Sequence, residues 1–314
     1  MKTSILKTTI LATLIAFASC SKDDDGSTMT GESYDTKVSI TDAPIDNASV
    51  SAAVVTITDV KVDGVSLEGF TTTTVDLLAL QNGTKATLGN LGLEAGMISN
   101  VSLVLDYEMD QDGNFPGCFV ETADGVKHQL IATTNEIKIN DQVEILASSA
   151  NEIVIDFDLR KTIIATAEAG DEFDFVTDAE LSSGLRLVNE IEAGTVSGTV
   201  NDSENTSEMI IVYAYEAGTY TAAEAEGQGS SSVTFANAVT SAVVDDLSAS
   251  YELNFLEEGN YEVHFASYSD TDADGQFEFN GMLDVESATN INLSSINVTS
   301  NFNFMLAVTV KGML

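Results

Sequence analysis

Over much of its length the chain alternates apolar and polar side chains with a period of two. Val101, Leu103, Leu105, Tyr107 and Met109 fall on one side, with Ser102, Asp106 and Glu108 on the other. Ile153, Ile155, Phe157 and Leu159 repeat the pattern, with Asp156, Asp158 and Arg160 opposite. Successive side chains of a strand point to opposite faces, so this pattern predicts half-buried strands with one wet face. Asp156, Asp158 and Arg160 are then expected as a surface charge ladder or as part of a recognition patch. Ala53, Val55 and Ile57 alternate, and Val60 and Val62 continue one step out of phase. A β-bulge near Thr58-Asp59 would produce that slip. Leu77 to Gln81 is expected as one short helical turn. The pairs Asp63-Gly64, Asn82-Gly83, Asp112-Gly113, Asp124-Gly125 and Asp274-Gly275 carry the residues that tight hairpin turns require.

Around Glu192-Ala193-Gly194 the pattern restarts. Val196 and Val200 open a new sheet, and Met209 to Tyr215 is a second strand. Further strands are expected near Ala242-Asp245, Tyr251-Phe255, Tyr261-Phe265, Gln276-Phe279, Ile291-Val298 and Met305-Val310. Short strands at regular spacing with turn signals between them predict β-sandwiches. The fold class is therefore all-β, with two antiparallel β-sandwich domains, 35–190 and 192–314, behind an N-terminal tether.

The tether is read from the first residues. Lys2 and Lys7 precede an apolar run, Ile10 to Ala18, that is short for a bilayer span and has the form of a signal peptide. It ends Phe17-Ala18-Ser19-Cys20, which resembles the lipobox of bacterial lipoproteins. That resemblance implies cleavage of residues 1–19 before Cys20 and acylation of Cys20, giving a multi-chain lipid anchor. The next residues, Ser21, Lys22, Asp23, Asp24 and Asp25, resemble the acidic export signal of surface-displayed lipoproteins of the Bacteroidota. The bland alternative is a solvated acidic tether. Residues 20–34 are polar and Gly/Ser/Asp-rich, as a flexible linker is. The expected location is the outer membrane, with the cell surface as the facing side.

Composition narrows the partners. Of 314 residues, 12 are Lys or Arg and 50 are Asp or Glu, a formal net charge of -38. Nucleic acid is excluded as a partner, since its binding depends on Lys and Arg at phosphates. Cations and basic proteins remain as electrostatic partners. The apolar fraction of 44% is too high for a disordered acidic chain. With Cys20 acylated, Cys118 has no partner for a disulfide within the chain.

Two resemblances follow from particular segments. Thr41-Asp42-Ala43-Pro44-Ile45-Asp46, Val75 to Gly83, Leu93-Glu94-Ala95-Gly96 and Asp156-Phe157-Asp158-Leu159-Arg160-Lys161 occur in that order. The set resembles an uncharacterised bacterial family, the domain of unknown function numbered 4382, over about residues 35–188. It implies an extracytoplasmic β-sandwich and no known reaction or ligand. Gly194-Thr195-Val196-Ser197-Gly198-Thr199-Val200 and Tyr251 to Val263 are similar to carboxypeptidase-regulatory-like, or transthyretin-like, sandwich modules. Such modules serve as spacers, adhesion domains or carbohydrate-facing accessories, and the fold does not choose among them.

Candidate chemistry is sparse. Asp270, Asp272 and Asp274, with Gly275 and then Gln276 and Glu278, match the opening of an EF-hand-type calcium loop. Position twelve is Gly281, so the bidentate glutamate is missing, and an acidic hairpin turn is the alternative. Asp106, Asp110 and Asp112 form a weaker echo, read as a hairpin turn. His128 and His264 lack neighbours at zinc spacing and are expected as ordinary strand residues. Cys118 is expected as a buried, inert thiol. With no tryptophan, only tyrosines such as Tyr213, Tyr215, Tyr220 and Tyr268 remain as sugar-stacking platforms. No catalytic residues are assigned and no cofactor is required, calcium aside. The first expectation is a non-enzymatic, surface-anchored binding or display module for a glycan, a protein or calcium. The alternatives are a fimbrillin-like structural subunit and a hydrolase. The sequence leaves the oligomeric state open.

Overall fold

The alternation in the first half becomes two sheets that share one core. The computed structural model describes residues 31–43, 50–148, 150–166, 173–271 and 277–314. A four-stranded sheet runs in the order Leu185–Asn189, Glu152–Phe157, Ser33–Thr41, Ala86–Glu94. A seven-stranded sheet is organised around the long strand Val50–Val62, flanked by Val101–Leu105 and Phe119–Thr122. Val38, Ile40, Ile153 and Ile155 from the first sheet meet Val55, Ile57, Leu103 and Val120 from the second. Each such side chain contributes about 1.5–3 kcal/mol when withdrawn from water. The bulge expected near Thr58-Asp59 is present as a register shift between Ile57 and Asp59. The short turn is a 3₁₀ helix, Leu77–Leu80, whose first turn is capped by Asp76 accepting from the Leu78 N–H at 3.2 Å.

The all-β reading holds, with differences in strand direction: Ala193–Asn201 runs parallel to Asn303–Met305 and to Val308–Met313, and a further parallel pair shapes the first half. Ser33–Thr41 and Glu152–Phe157 are parallel, with Thr41 opposite Asp156. Both strands therefore leave the sheet at the same end, and Asp42 and Asp158 emerge side by side. The expected strand through Leu159 stops at Phe157, and a one-turn helix, Leu159–Thr162, follows it.

In the second half, one nine-stranded curled sheet includes Met209–Glu216, Gly259–Ser269, Glu278–Ser287, Val308–Met313, Ala193–Asn201 and Ser250–Glu257. Val212, Ala214, Leu253 and Phe265 belong to its inner core. Ile211, Tyr213, Tyr215 and Tyr268 form a second cluster on the other face with Phe235 and Ala238. The long connection 217–239 thus folds back over that face. Gly198 is required by close approach: a Cβ there would lie 1.7 Å from the Leu306 carbonyl oxygen. The strand expected at Gln276-Phe279 runs Glu278–Ser287, and the last one runs Val308–Met313.

Residues Glu32–Leu314 group as one compact unit. The two halves meet across the outer face of the four-stranded sheet. Val154 and Val188 pack there against Ala193 and Phe255. As a result all six residues of Glu152–Phe157 are buried. No helix among the described residues is long and apolar enough to cross a membrane.

Candidate functional site

The polar positions of the segment Asp156 to Lys161 are not on the surface. Asp156, Asp158 and Arg160 are 3%, 3% and 4% exposed. The expected surface ladder is corrected on this point, because the second half covers the face that alternation assigns to water. Buried charges are tolerated only when paired and hydrogen-bonded: Asp158 is met by its neighbour Arg160, and Arg160 and Asp156 are met by partners from distant segments.

Two arginines cross the junction. Arg160 binds Asp158 Oδ2 at 2.8 Å and donates to the carbonyls of Phe235 at 2.6 Å and Thr234 at 3.1 Å. Its guanidinium carbon lies 5.4 Å from the centre of the Tyr213 ring. Arg186 binds Asp156 Oδ2 at 2.6 Å and donates to the Phe255 carbonyl at 2.6 Å. Phe235 and Phe255 have φ of 51° and 54°, a left-handed conformation that is unusual for bulky residues. At Phe255 the cause is a bulge, where the pairing slips between Gly194 and Val196. Such bends cost of order 1–3 kcal/mol and persist where the surroundings hold them. Here each one presents its carbonyl to a buried arginine.

A third contact crosses at the rim. Thr177 caps the helix Asp178–Gly184 in a reciprocal capping box with Glu180. Glu180 also accepts from the Ser230 N–H at 2.6 Å, the Ser231 N–H at 3.0 Å and the Ser231 hydroxyl at 2.6 Å. Partial burial pushes its carboxyl up, but the hydrogen bonds from Ser231, Thr177 and Ser230 outweigh that and hold it at about 2. Asp42 completes the junction from the first half. Its Oδ1 accepts from the Leu159 N–H at 3.1 Å, which starts the one-turn helix. Burial holds Asp42 well above the usual carboxylate range, and the charges of Asp158, Asp156 and Asp76 add to the effect.

Between the halves lies a polar cavity of about 280 Å³ lined by Asp141, Asp156, Asp158, Lys161, Arg186 and Glu257 among others. Burial lowers Lys161 to about 8, against the pull of Asp158 at 3.6 Å. The cavity carries both charge signs.

The remaining sequence candidates fall elsewhere. Asp272, Asp274, Gly275 and Gln276 lie outside the described residues, as do Cys20 and Ser21 to Asp25. Of the loop's flanks, the Asp270 N–H donates to Glu208, and Glu278 accepts from the N–H and hydroxyl of Thr271 at 3.0 and 2.9 Å. Among the described residues no three His, Cys, Asp or Glu side chains converge as a metal-ligand group. Cys118 is fully buried, and burial pushes its thiol up to about 12. His128 and His264 both sit in strands. Tyr213, Tyr215 and Tyr268 are at most 2% exposed. They are therefore unavailable for sugar stacking, because the connection 217–239 covers them. Tyr220 stacks on His264 at 3.9 Å. Arg186, Glu180, Ser231 and Phe235 were not singled out from the sequence. The one signal present was a run of small residues, Gly227 to Ser232, within an otherwise unpatterned connection.

Residues 35–175 match the family described as Domain of unknown function (DUF4382). Asp42 and the segment Asp156 to Lys161 lie within the match, whereas Glu180 and Arg186 lie beyond it. No curated protein matches the chain. Among solved structures, the Bacillus anthracis TIE protein is 10% identical with a TM-score of 0.18, and this chain spans only 34% of its length and is itself covered to 88%. BcpA, the major pilin subunit of Bacillus cereus, is 12% identical with a TM-score of 0.23, over 89% of this chain and 70% of that one. GBS52, the minor pilin of Streptococcus agalactiae, is 10% identical with a TM-score of 0.22, over 89% and 97%. At these values the likenesses carry no argument about what this chain does.

Proposed function

We propose that the chain is a non-enzymatic binding or display module, held at the cell surface by a lipid on Cys20. The observation that carries the reading is the use made of the polar motif residues. Asp156, Asp158, Arg160 and Arg186 are spent in joining one sandwich to the other. A chain whose best-defined polar cluster fastens two β-rich halves is suited to presenting a surface at a distance from its anchor. On this reading the second half is a transthyretin-like spacer or adhesion module, and the bound partner is a glycan or a protein.

The test is capture with the chain from residue 27 onward, on a glycan array and against surface extracts. A saturable ligand that competes in solution supports the reading. Turnover of a bound glycan or peptide would replace it with a hydrolase. Polymer ladders on purification would favour a fimbrial subunit instead. The anchor is tested separately: Cys20→Ala should abolish lipid labelling and leave unprocessed precursor. Neutral residues in place of Lys22 to Asp25 should keep the lipid and lose surface protease accessibility.

A further inference from the structure

A second, much smaller cavity lies beside the arginine pairs. Asp42, Asn82 and Asp156 from the first half line it together with Ser241, Glu252 and Asn254 from the second. Its volume is about 10 Å³, which is room for one small occupant. Asp42, Asp156 and Ser241 are 6%, 3% and 4% exposed. In each, one buried oxygen has no hydrogen-bond partner: Asp42 Oδ2, Asp156 Oδ1 and Ser241 Oγ. The other carboxylate oxygens are in use. Asp42 Oδ1 takes the Leu159 N–H, and Asp156 Oδ2 takes Arg186. The two carboxylates are thus split, each on a residue that lines the cavity, with one oxygen committed to the fold and one without a partner.

Buried polar atoms are almost always satisfied, and three unpartnered oxygens on residues that line one cavity call for a common partner. Charge says which kind. No Lys, Arg or His side chain lines the cavity. Arg186 offsets Asp156, but Asp42 has no ion-pair partner among the described residues, and Glu252 adds a second uncompensated carboxylate at the exposed rim. A water molecule would fill the hydrogen bonds but bring no positive charge to a carboxylate that burial drives towards its neutral form. A divalent cation would answer both needs.

We propose that this cavity binds calcium, with Asp42 and Asp156 as buried carboxylate ligands and Ser241 as hydroxyl ligand. The amide oxygen of Asn82, the remaining lone pair of the Asn254 oxygen beside its 3.1 Å bond from the Thr195 hydroxyl, and water complete an all-oxygen shell of the kind calcium accepts. Two buried carboxylates fall short of a three-acid ligand group, which is why hydroxyl and amide oxygens are needed. The ligands come from both halves, so the ion clamps the junction. This site is separate from the loop Asp270 to Glu278.

The test uses the purified full-length chain carrying Asp272→Asn and Asp274→Asn, which removes the loop aspartates. After treatment with chelator, it is titrated calorimetrically with CaCl₂ and melted at constant ionic strength in CaCl₂, MgCl₂ or KCl. One saturable calcium site and a rise in melting temperature that magnesium and potassium do not reproduce are expected. Asp42→Asn should weaken binding at least tenfold, and Ser241→Ala severalfold. Should Asp42→Asn fail to fold, Ser241→Ala and the rim variant Glu252→Gln carry the test. Absent calcium heat, equal shifts in all three salts, or unchanged affinity in the variants would overturn the proposal. So would a parent chain that shows no response to calcium and is matched in stability by Asp42→Asn, since a proton on Asp42 would then be the occupant.

Discussion

The strands Met209–Glu216 and Glu152–Phe157 are both buried on two faces, and their sequences announce it differently. In the first, Ile210 to Tyr215 is apolar or aromatic throughout, and Tyr213 and Tyr215 are fully buried under Phe235. In the second, Ile153, Ile155 and Phe157 face the core while Glu152 and Asp156 alternate with them. The second pattern is that of a strand with one wet face. It is nevertheless buried, because Lys85, Lys37 and Ser39 meet Glu152 and Arg186 meets Asp156. An apolar face is covered by anything apolar of the right shape. A charged face is covered only by a surface carrying its complement, and that complement comes from remote parts of the chain.

The comparison breaks most directly if the covering surface is removed. Residues 35–190 and 192–314, expressed separately, should each give a strand-rich circular dichroism spectrum and a melting transition of its own. Both transitions should fall below that of the intact chain, since Val154, Phe255 and the aromatic cover become exposed. Asp158 and Arg160 regain water in that case, so their charge is not stranded. A transition seen only when both halves are mixed would place the boundary elsewhere.

Within the intact chain the charged face should be the more brittle of the two. Arg160→Ala leaves Asp158 buried without its closest cation, a change that costs about 3–5 kcal/mol in comparable buried pairs. Replacing both together, Arg160→Met with Asp158→Leu, should cost less than the single change. Urea unfolding of the three proteins decides it, and a double variant as unstable as Arg160→Ala would show that charge is not the issue. The aromatic face should yield less to a polar edit. Tyr213→Phe removes the 2.7 Å hydrogen bond to the Tyr268 hydroxyl while keeping the ring stacked 4.3 Å from Phe235. About 1 kcal/mol is expected from the same unfolding measurement.

The smallest effect is at the rim. Glu180 is held at about 2, below its ordinary value of 4.5. A carboxyl depressed in the folded state stabilises it above the unfolded value, and that contribution is lost as pH falls from about 4.5 towards 2. Glu180→Gln should therefore be less stable than the parent at pH 6 and match it more closely near pH 2.5. The difference should stay within about 1 kcal/mol, because the site is partly solvated. A gap of equal size at both pH values would mean that the carboxylate charge plays no part.

Much of this fold was legible in the residues themselves. Period-two alternation located Val50–Val62, Val101–Leu105 and Glu152–Phe157 in the first half and most strands of the second, but not Ser33–Thr41, Ala86–Glu94 or Leu185–Asn189. The phase slip after Ile57 marked a bulge that the pairing register shows. Asp76 followed by Leu77 to Leu80 marked the short turn. These are local consequences of side-chain direction and backbone preference, so nearby residues suffice to reveal them. The resemblance also drew attention to Asp42 and to Asp156 through Lys161, and both lie at the junction. Their role was not legible. The carbonyls that accept from Arg160 stand 74 and 75 residues away, the one that accepts from Arg186 stands 69 away, and the serine groups that donate to Glu180 stand 50 and 51 away. Nothing in the alternation of Glu152–Phe157 separates a face turned to water from one turned to a second sheet. The sequence by itself determined which residues alternate, where the turns fall and that two cores form. Only the tertiary structure decided that the charged side of one strand is interior, because a charge is stable in either place and its partners are chosen by docking.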